Sequence, residues 1–139
     1  MPAVFRTTRI VEFGDTDMAG IVHFANFFRY MEAAEHAFLR SLGLSVVMEY
    51  EGAKYGLPRV SASCDYLRPA RFGETLTITV AVEKLGRSSI TYAFDFTRDD
   101  EAIARGRVTA VFCRFDEGRP KACEMPEAFR AKLEAPMVE

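Results

Sequence analysis

Alternation between apolar and polar positions predicts most of the secondary structure of this chain. Over residues 74–83, the even-numbered positions from Leu76 to Val82 are apolar and three of the intervening positions are threonines. A period of two is typical of a β-strand with one buried face. Four further segments have the alternation or composition of strands: 5–12, 58–67, 89–97 and 102–115. Short polar links between successive segments favour hairpins, so the strands are predicted to pair antiparallel.

A helical pattern lies between the first two strand segments, over residues 25–42. Apolar side chains recur there at spacings of three and four, and charged residues occupy the opposite side. The apolar set is Phe27, Tyr30, Met31, Ala34, Ala37 and Phe38. Gly43 ends the pattern, and residues 126–133 predict a second, short helix. This order of elements predicts an α+β fold with one long central helix packed on a curved antiparallel β-sheet.

Composition predicts one domain, spanning residues 1–139. A chain of 139 residues with 49% hydrophobic residues is sufficient for one buried core. The formal net charge of -2 argues against nucleic acid as a partner, because nucleic-acid-binding domains usually carry an excess of basic residues. No nucleic-acid function is therefore expected.

The cysteines and the terminal sequence predict a cytoplasmic protein. Cys64, Cys113 and Cys123 are an odd number without the spacing of a metal site, so they are interpreted as reduced thiols. The first nine residues lack an apolar signal core, and no later run approaches the roughly 20 apolar residues of a transmembrane segment.

The segment FGDTDMAGIVHFANF, residues 13–27, is the strongest candidate for chemistry. It places Asp15 and Asp17 in a glycine-bounded turn directly before the predicted helix. Asp and Thr side chains also stabilise turns by bonding nearby backbone N–H groups, and the spacing alone favours that structural explanation.

Residues 15–28 nevertheless resemble the signature of the hotdog-fold acyl-CoA thioesterases. The similar branch includes 4-hydroxybenzoyl-CoA thioesterase and the Tol-Pal-linked thioesterases. The segments GLPRV at 56–60 and PARFGETL at 69–76 resemble later parts of the same family, in the same order. The resemblance implies the hotdog fold and a homodimer or homotetramer whose subunits join their sheets edge to edge. It also implies that an acyl-CoA substrate binds between two subunits.

By this resemblance, Asp17 is the catalytic residue of a thioester hydrolase. Its carboxylate would either attack the acyl carbon or activate water as a general base, and the sequence does not choose between these routes. Phe24 lies near the predicted helix start, where unpaired backbone N–H groups can hold an oxyanion. Gly56 of a second subunit would approach the thioester, although a plain turn glycine explains it almost as well.

Two positions depart from the Tol-Pal-linked pattern. Those proteins have a histidine seven positions after the catalytic aspartate, where this chain has Phe24, and a tyrosine four positions before it, where this chain has Phe13. The 4-hydroxybenzoyl-CoA type is therefore the closer match. His23 is interpreted either as a substrate-binding residue or as a packed imidazole.

Coenzyme A carries phosphates, so basic and polar side chains are expected around its binding site. The candidates are Lys84, Arg87, Ser89 and Lys121, each of which plain surface placement also explains. Coenzyme A enters as part of the substrate, and neither a separate cofactor nor a metal is implied.

Two other functions were weighed against the hydrolase. A hotdog dehydratase or hydratase is disfavoured, because those enzymes commonly use a histidine followed at short spacing by Pro-Gly, and neither histidine of this chain is so followed. A non-catalytic acyl-CoA-binding sensor or scaffold of the same fold remains the alternative.

Overall fold

A computed structural model of the protein describes residues 4–134. Over this range the chain forms a short 3-10 turn at Phe13–Asp15, nine strands and two α-helices. They are β1 (Val4–Ile10), α1 (Asn26–Ser41), β2 (Val47–Tyr50), β3 (Ala53–Gly56), β4 (Arg59–Tyr66), β5 (Thr75–Leu85), β6 (Ser89–Arg98), β7 (Glu101–Val111), β8 (Cys113–Asp116), β9 (Arg119–Ala122) and α2 (Glu127–Glu134).

The strands form two antiparallel sheets. The larger has five strands in the order β1-β5-β6-β7-β4, and the smaller has four in the order β2-β3-β8-β9. Strands β5, β6 and β7 are joined by short turns, so consecutive strands lie side by side and form hairpins. β1, which precedes helix α1, and β4, which follows β3, are the two edges of the larger sheet.

Helix α1 packs its apolar face on the five-stranded sheet. The inward side chains of β5 and β6 are almost completely buried, with exposures of 0–5% from Leu76 to Phe96 along the alternating positions. The rings of Phe27 and Phe96 lie 5.3 Å apart, and those of Phe38 and Tyr92 lie 6.2 Å apart in edge-to-face geometry. The predicted alternation and the predicted apolar helix face are confirmed by this burial.

The α+β prediction is confirmed as helices packed on antiparallel sheets, but the finer description differs. Helix α1 begins and ends within one residue of the predicted bounds, but it has only 16 residues, so the description of a long central helix is not confirmed. The prediction of a single curved sheet was incomplete, because the structure has a second sheet, which is formed by β2, β3, β8 and β9. The proposed domain limits of 1–139 include residues 1–3 and 135–139, which lie outside the described residues.

The prediction of one strand over residues 102–115 is wrong. The strand is interrupted at Phe112. The side chain of this residue is buried, and its N–H donates to the carbonyl of Ser88. β7 before it pairs within the five-stranded sheet, whereas β8 after it pairs with β3 and β9. The apolar pattern continues through the break, because Phe112 itself is part of the hydrophobic core.

Gly56 is explained by packing inside its own chain. It is buried at the end of β3, opposite Cys113. An added Cβ would lie 2.6 Å from the Phe115 ring and 3.3 Å from the carbonyl oxygen of Val46. Its predicted contact with substrate in a second subunit stays a prediction.

We expect Gly56→Ala to lower the free energy of unfolding by about 1–3 kcal/mol, because the Phe115 ring must move to admit the methyl group. Urea denaturation measures this change. Gly14→Ala is the matched control, since no atom lies within 4 Å of the Cβ added there. Equal losses in the two variants would contradict the packing explanation.

Candidate active site

The two aspartates of the turn have different surroundings. Asp15 is half-buried, and its Oδ2 accepts hydrogen bonds from the Tyr30 hydroxyl at 2.8 Å and from the Glu12 N–H at 2.9 Å. Its backbone carbonyl accepts from the His23 N–H and from the Asn26 side-chain amide, both at 2.9 Å. Asp15 therefore ties the turn to the first turns of α1.

The bond between Asp15 and Tyr30 is supported by the surroundings of the phenol. Burial, followed by the hydrogen bond to Asp15, raises the pKa of Tyr30 well above its usual range. The Arg9 guanidinium lies 5.0 Å from the centre of the Tyr30 ring. Because the phenol stays protonated at all physiological pH values, it remains a hydrogen-bond donor to Asp15.

Asp17 is exposed at the end of the turn. Its N–H donates to the Ile21 carbonyl at 3.0 Å, its carbonyl accepts from the Gly20 N–H, and its Oδ1 accepts from the Ala19 N–H, the last two at 2.9 Å. Gly20 has a φ of 78°, a left-handed conformation that glycine adopts without strain. The other carboxylate oxygen, Oδ2, has no hydrogen-bond partner within residues 4–134. One oxygen of Asp17 thus holds the turn and the other is open.

Asp17 lines a cleft of about 490 Å³, which we call the Asp17 cleft. It lies between the turn, the start of α1 and the segment that follows β4. Its walls are mostly apolar and aromatic, and Asp17 is the acidic residue among them. The lining residues are Asp17, Ile21, Val22, Phe24, Phe27, Tyr66, Leu67, Arg68, Pro69 and Ala70.

Phe24 also lines this cleft, and two hydrogen bonds hold its backbone carbonyl in a fixed orientation. Its carbonyl accepts hydrogen bonds from the Tyr66 hydroxyl at 3.0 Å and from the Phe27 N–H at 3.3 Å. Its own N–H has no acceptor within the described part of the chain. Asn26 begins α1 two residues later, so the positive end of the helix dipole lies here. An unpaired N–H and an unpaired carboxylate oxygen therefore belong to two residues that line the same cleft.

His23 contributes to the start of the helix and is absent from the cleft wall. Its Nδ1 accepts the Ala25 N–H at 3.2 Å, and its ring stacks on Phe24 with centroids 4.8 Å apart. A neutral imidazole that accepts at Nδ1 carries its proton on Nε2. His23 is exposed, and both interpretations of it, a packed imidazole and a substrate-binding residue, stay predictions.

The four predicted phosphate contacts lie apart from the Asp17 cleft in a single chain. Arg87 is exposed and pairs with Glu124 at 3.3 Å beside a smaller cleft of about 180 Å³. Lys84 lies near the end of β5, Ser89 begins β6, and Lys121 lies in β9. Gly56 is also outside the Asp17 cleft. The structure therefore brings Asp17 and Phe24 together and leaves these other candidates separate.

Tyr66 and Arg68 are cleft residues that the sequence analysis missed. Arg68 donates to the Ala102 carbonyl at 2.7 Å and lies 3.5 Å from the Glu101 carboxylate, so its side chain is held by the start of β7. Its position directly before Pro69, in a segment with family resemblance, was the available signal. The sequence contained no such signal for Tyr66, because its role depends on its contact with Phe24 in the folded protein.

A cysteine nucleophile is disfavoured by the chemistry of Cys64. This residue lies in β4 two positions before Tyr66, and burial raises the pKa of its thiol to about 11. The thiol stays protonated at neutral pH and is a poor nucleophile. Asp17 is therefore the better candidate.

Neither a metal cluster nor a membrane helix is found over residues 4–134. No group of three or more histidine, cysteine or acidic side chains there is arranged to hold a metal ion. No helix in this range has the length and apolar content to span a bilayer.

Comparisons with known proteins agree with the resemblance noted in the sequence. Residues 11–133 match the model of the thioesterase-like superfamily. A 1,4-dihydroxy-2-naphthoyl-CoA hydrolase of Prochlorococcus marinus is 30% identical over 135 residues, 91% of this chain and 85% of that protein.

Two solved structures illustrate the likeness in three dimensions. A gentisyl-coenzyme A thioesterase superposes with a TM-score of 0.78 at 31% identity, covering 94% of this chain and 98% of that one. The 4-hydroxybenzoyl CoA thioesterase of Pseudomonas sp. strain CBS-3 gives a TM-score of 0.81 at 24% identity, covering 94% and 99%, and so shares the fold.

We expect Asp15→Asn and Tyr30→Phe each to lower the free energy of unfolding by about 1–3 kcal/mol, because the first removes the charge of the acceptor and the second removes the donor of the same half-buried hydrogen bond. Thermal and urea denaturation measure the loss. The double variant should lose less than the sum, since both changes act on the same bond. Asp95→Asn is the control, because Asp95 makes an exposed ion pair with Arg105. Additive losses would show that the two side chains act independently.

Proposed function

The chain belongs to the thioesterase-like superfamily, and on that premise we propose that it hydrolyses the thioester bond of an acyl-CoA to a free acid and coenzyme A. One observation carries the proposal: Asp17, which keeps one carboxylate oxygen unpaired, and Phe24, whose N–H is unpaired within the described residues, line the same apolar cleft. Thioester hydrolysis needs both a group that attacks or activates water and a donor that stabilises the oxyanion.

Asp17 would serve either of two routes. As a nucleophile, its open oxygen attacks the acyl carbon, the coenzyme A thiolate leaves, and water then hydrolyses the mixed anhydride to restore the carboxylate. As a general base, it takes a proton from water while that water attacks the carbonyl. Both routes require an ionised carboxylate, and both place negative charge on the carbonyl oxygen, where the Phe24 N–H would donate.

The shape of the cleft supports an acyl substrate. Phe24, Phe27 and Tyr66 provide an apolar wall next to Asp17. Such a wall suits an acyl group better than it suits the phosphates of coenzyme A. The names of the relatives above contain aromatic acyl groups, so such esters belong in a substrate panel with aliphatic ones. Lys84, Arg87, Ser89 and Lys121 remain the proposed contacts for coenzyme A, across two subunits.

We further propose that two copies join at β4. This strand is one edge of the five-stranded sheet and pairs with β7 on its other side. Within the described residues its outer edge has no strand partner, and Val60 there is 63% exposed. An unpaired edge with an exposed apolar residue is a template for pairing with another strand.

Asp17→Asn should lower kcat at least about a hundredfold on any acyl-CoA that the wild-type protein hydrolyses, because the amide can neither attack nor accept a proton. Loss of thioester absorbance over acetyl-, medium-chain, long-chain and aromatic acyl-CoAs measures this. Asp95→Asn is the matched control and should retain wild-type rates.

Full activity in Asp17→Asn would exclude this residue as the catalytic group. If the wild-type protein binds acyl-CoAs and hydrolyses none, the hydrolase proposal fails and the acyl-CoA-binding scaffold replaces it.

Size-exclusion chromatography with light scattering should give at least twice the chain mass for the wild-type protein. Ser63→Asp should shift this species toward monomer, because two copies paired antiparallel through β4 would bring their added charges close together. Thr8→Asp places the same charge on β1, the opposite edge, and should leave the mass unchanged. A monomeric wild type, or equal dissociation in both variants, would contradict pairing at β4.

A further inference from the structure

Helix α1 begins without a capping side chain. Ala25 occupies the position before the first helical residue, and its side chain has no polar atom that could accept a hydrogen bond. The N–H of Asn26 donates instead to the His23 carbonyl at 2.9 Å, and the N–H of Phe27 donates to the Phe24 carbonyl at 3.3 Å. The start of the helix is therefore tied to the backbone of the loop before it.

The side chain of Asn26 reaches from the helix to the turn that carries Asp15 and Asp17, which we call the aspartate turn. Its Nδ2 donates to the Asp15 carbonyl oxygen at 2.9 Å, in a half-buried contact between residues eleven positions apart. A carbonyl oxygen only accepts hydrogen bonds, so the nitrogen of the amide and not its oxygen faces Asp15. Asn26 thus connects two segments on which the proposed chemistry depends.

Three hydrogen bonds close a ring at this connection. The Asp15 carbonyl that accepts from the Asn26 side chain also accepts the His23 N–H, at 2.9 Å. The His23 carbonyl in turn accepts the Asn26 N–H. Each of the three residues therefore bonds to the other two, and we call this set the Asp15–His23–Asn26 ring. Loss of the Asn26 amide opens the ring and leaves its two backbone bonds unsupported.

The ring includes the peptide group that carries the Phe24 N–H. The His23 carbonyl and the Phe24 N–H belong to one planar, trans peptide, in which they point in opposite directions. The bond from Asn26 holds the carbonyl, so it also sets the direction of the N–H. This N–H is the donor without an acceptor in residues 4–134 that the proposed function assigns to the oxyanion.

The other side of the ring belongs to the aspartate turn. The Asp15 carbonyl shares its peptide plane with the Thr16 N–H, which donates to the Phe13 carbonyl at 3.1 Å. Both ends of this plane are therefore held, and Asp17 follows directly. The ring consequently joins the peptide before Asp17 to the peptide that carries the Phe24 N–H.

We propose that Asn26 is a positioning residue, whose side-chain amide sets the direction of the Phe24 N–H relative to Asp17. This inference rests on the proposed function, in which that N–H donates to the carbonyl oxygen of the thioester. Negative charge gathers on this oxygen as the reaction proceeds, so a misdirected donor weakens the transition state more than the bound ester. The effect of Asn26 should therefore fall on kcat and not on KM.

Asn26→Ala tests this by removing the amide, while the backbone N–H that bonds to His23 is retained. On the acyl-CoA that the wild-type protein hydrolyses fastest, kcat should fall about tenfold or more, because the oxyanion donor is misdirected. KM should change less than about twofold, since ground-state binding is not altered. Wild-type kcat in Asn26→Ala, or a raised KM with unchanged kcat, would overturn the inference.

Thr91→Val is the matched control for stability. It removes a half-buried hydrogen bond of 2.9 Å between the Thr91 and Thr109 hydroxyls, outside the Asp17 cleft. It should lower the urea midpoint about as much as Asn26→Ala does and keep wild-type kcat. If Asn26→Ala does not fold, Asn26→Leu carries the same expectations, because leucine keeps the approximate size of the side chain without its donor.

A measurement without substrate separates this inference from the proposed function. Residual dipolar couplings from NMR report the direction of each backbone N–H bond in the free protein. The Phe24 coupling should change in Asn26→Ala and stay unchanged in Thr91→Val. An unchanged Phe24 coupling in Asn26→Ala would overturn the inference even if kcat falls, because the lost rate would then have another cause.

The two proposals fail in different ways. If the wild-type protein hydrolyses no acyl-CoA, the hydrolase proposal fails, and a changed Phe24 coupling in Asn26→Ala still supports the assignment of Asn26 to that N–H. If Asp17→Asn is inactive while Asn26→Ala keeps wild-type kcat, the hydrolase proposal holds and the assignment of Asn26 fails.

Discussion

Burial of the aromatic face of α1 against the five-stranded sheet fixes the position of everything else in the site. Phe27 and Phe38, almost three helical turns apart, both pack on rings from β6. The helix therefore cannot rotate about its axis without opening the core. Its first turn is consequently held at one place, and the loop before it can present backbone donors there.

The segment Asp15-Thr16-Asp17 uses that fixed point in two ways. Asp15 directs its carboxylate and its carbonyl into the protein and joins the loop to Tyr30 and Asn26. Asp17 keeps one oxygen for the turn and leaves the other open. The structural explanation of this motif therefore applies to Asp15, and the proposed chemistry falls to Asp17. The sequence motif contains two carboxylates, and the fold gives them different hydrogen-bond partners.

Local periodicity was sufficient to predict α1 and four of the five strands of the larger sheet, and the fifth was predicted too long. The turn that carries Asp17 was predicted from its Asp, Thr and Gly residues. Strands β2, β3 and β9 were missed because each has four residues and shows little apolar alternation. The break at Phe112 and the burial of Glu35 were missed for another reason. Both depend on contacts with residues distant in sequence, Ser88 and Arg59 respectively. The same limit applies to Tyr66, whose hydroxyl is directed by the fold toward a peptide 42 residues away.

The bond from Tyr66 to the Phe24 carbonyl joins the end of an edge strand to a residue that lines the cleft. The Phe24 carbonyl and the Ala25 N–H share one rigid peptide plane, and the Phe24 N–H lies in the preceding plane, which meets the first at the Phe24 Cα. If β4 pairs with a second copy, assembly would hold Tyr66 in place, fix the first plane and so limit the rotation of the Phe24 N–H. Quaternary structure would then tune the chemistry through one hydroxyl group, and activity per chain would fall on dilution without any change in the chemical groups themselves.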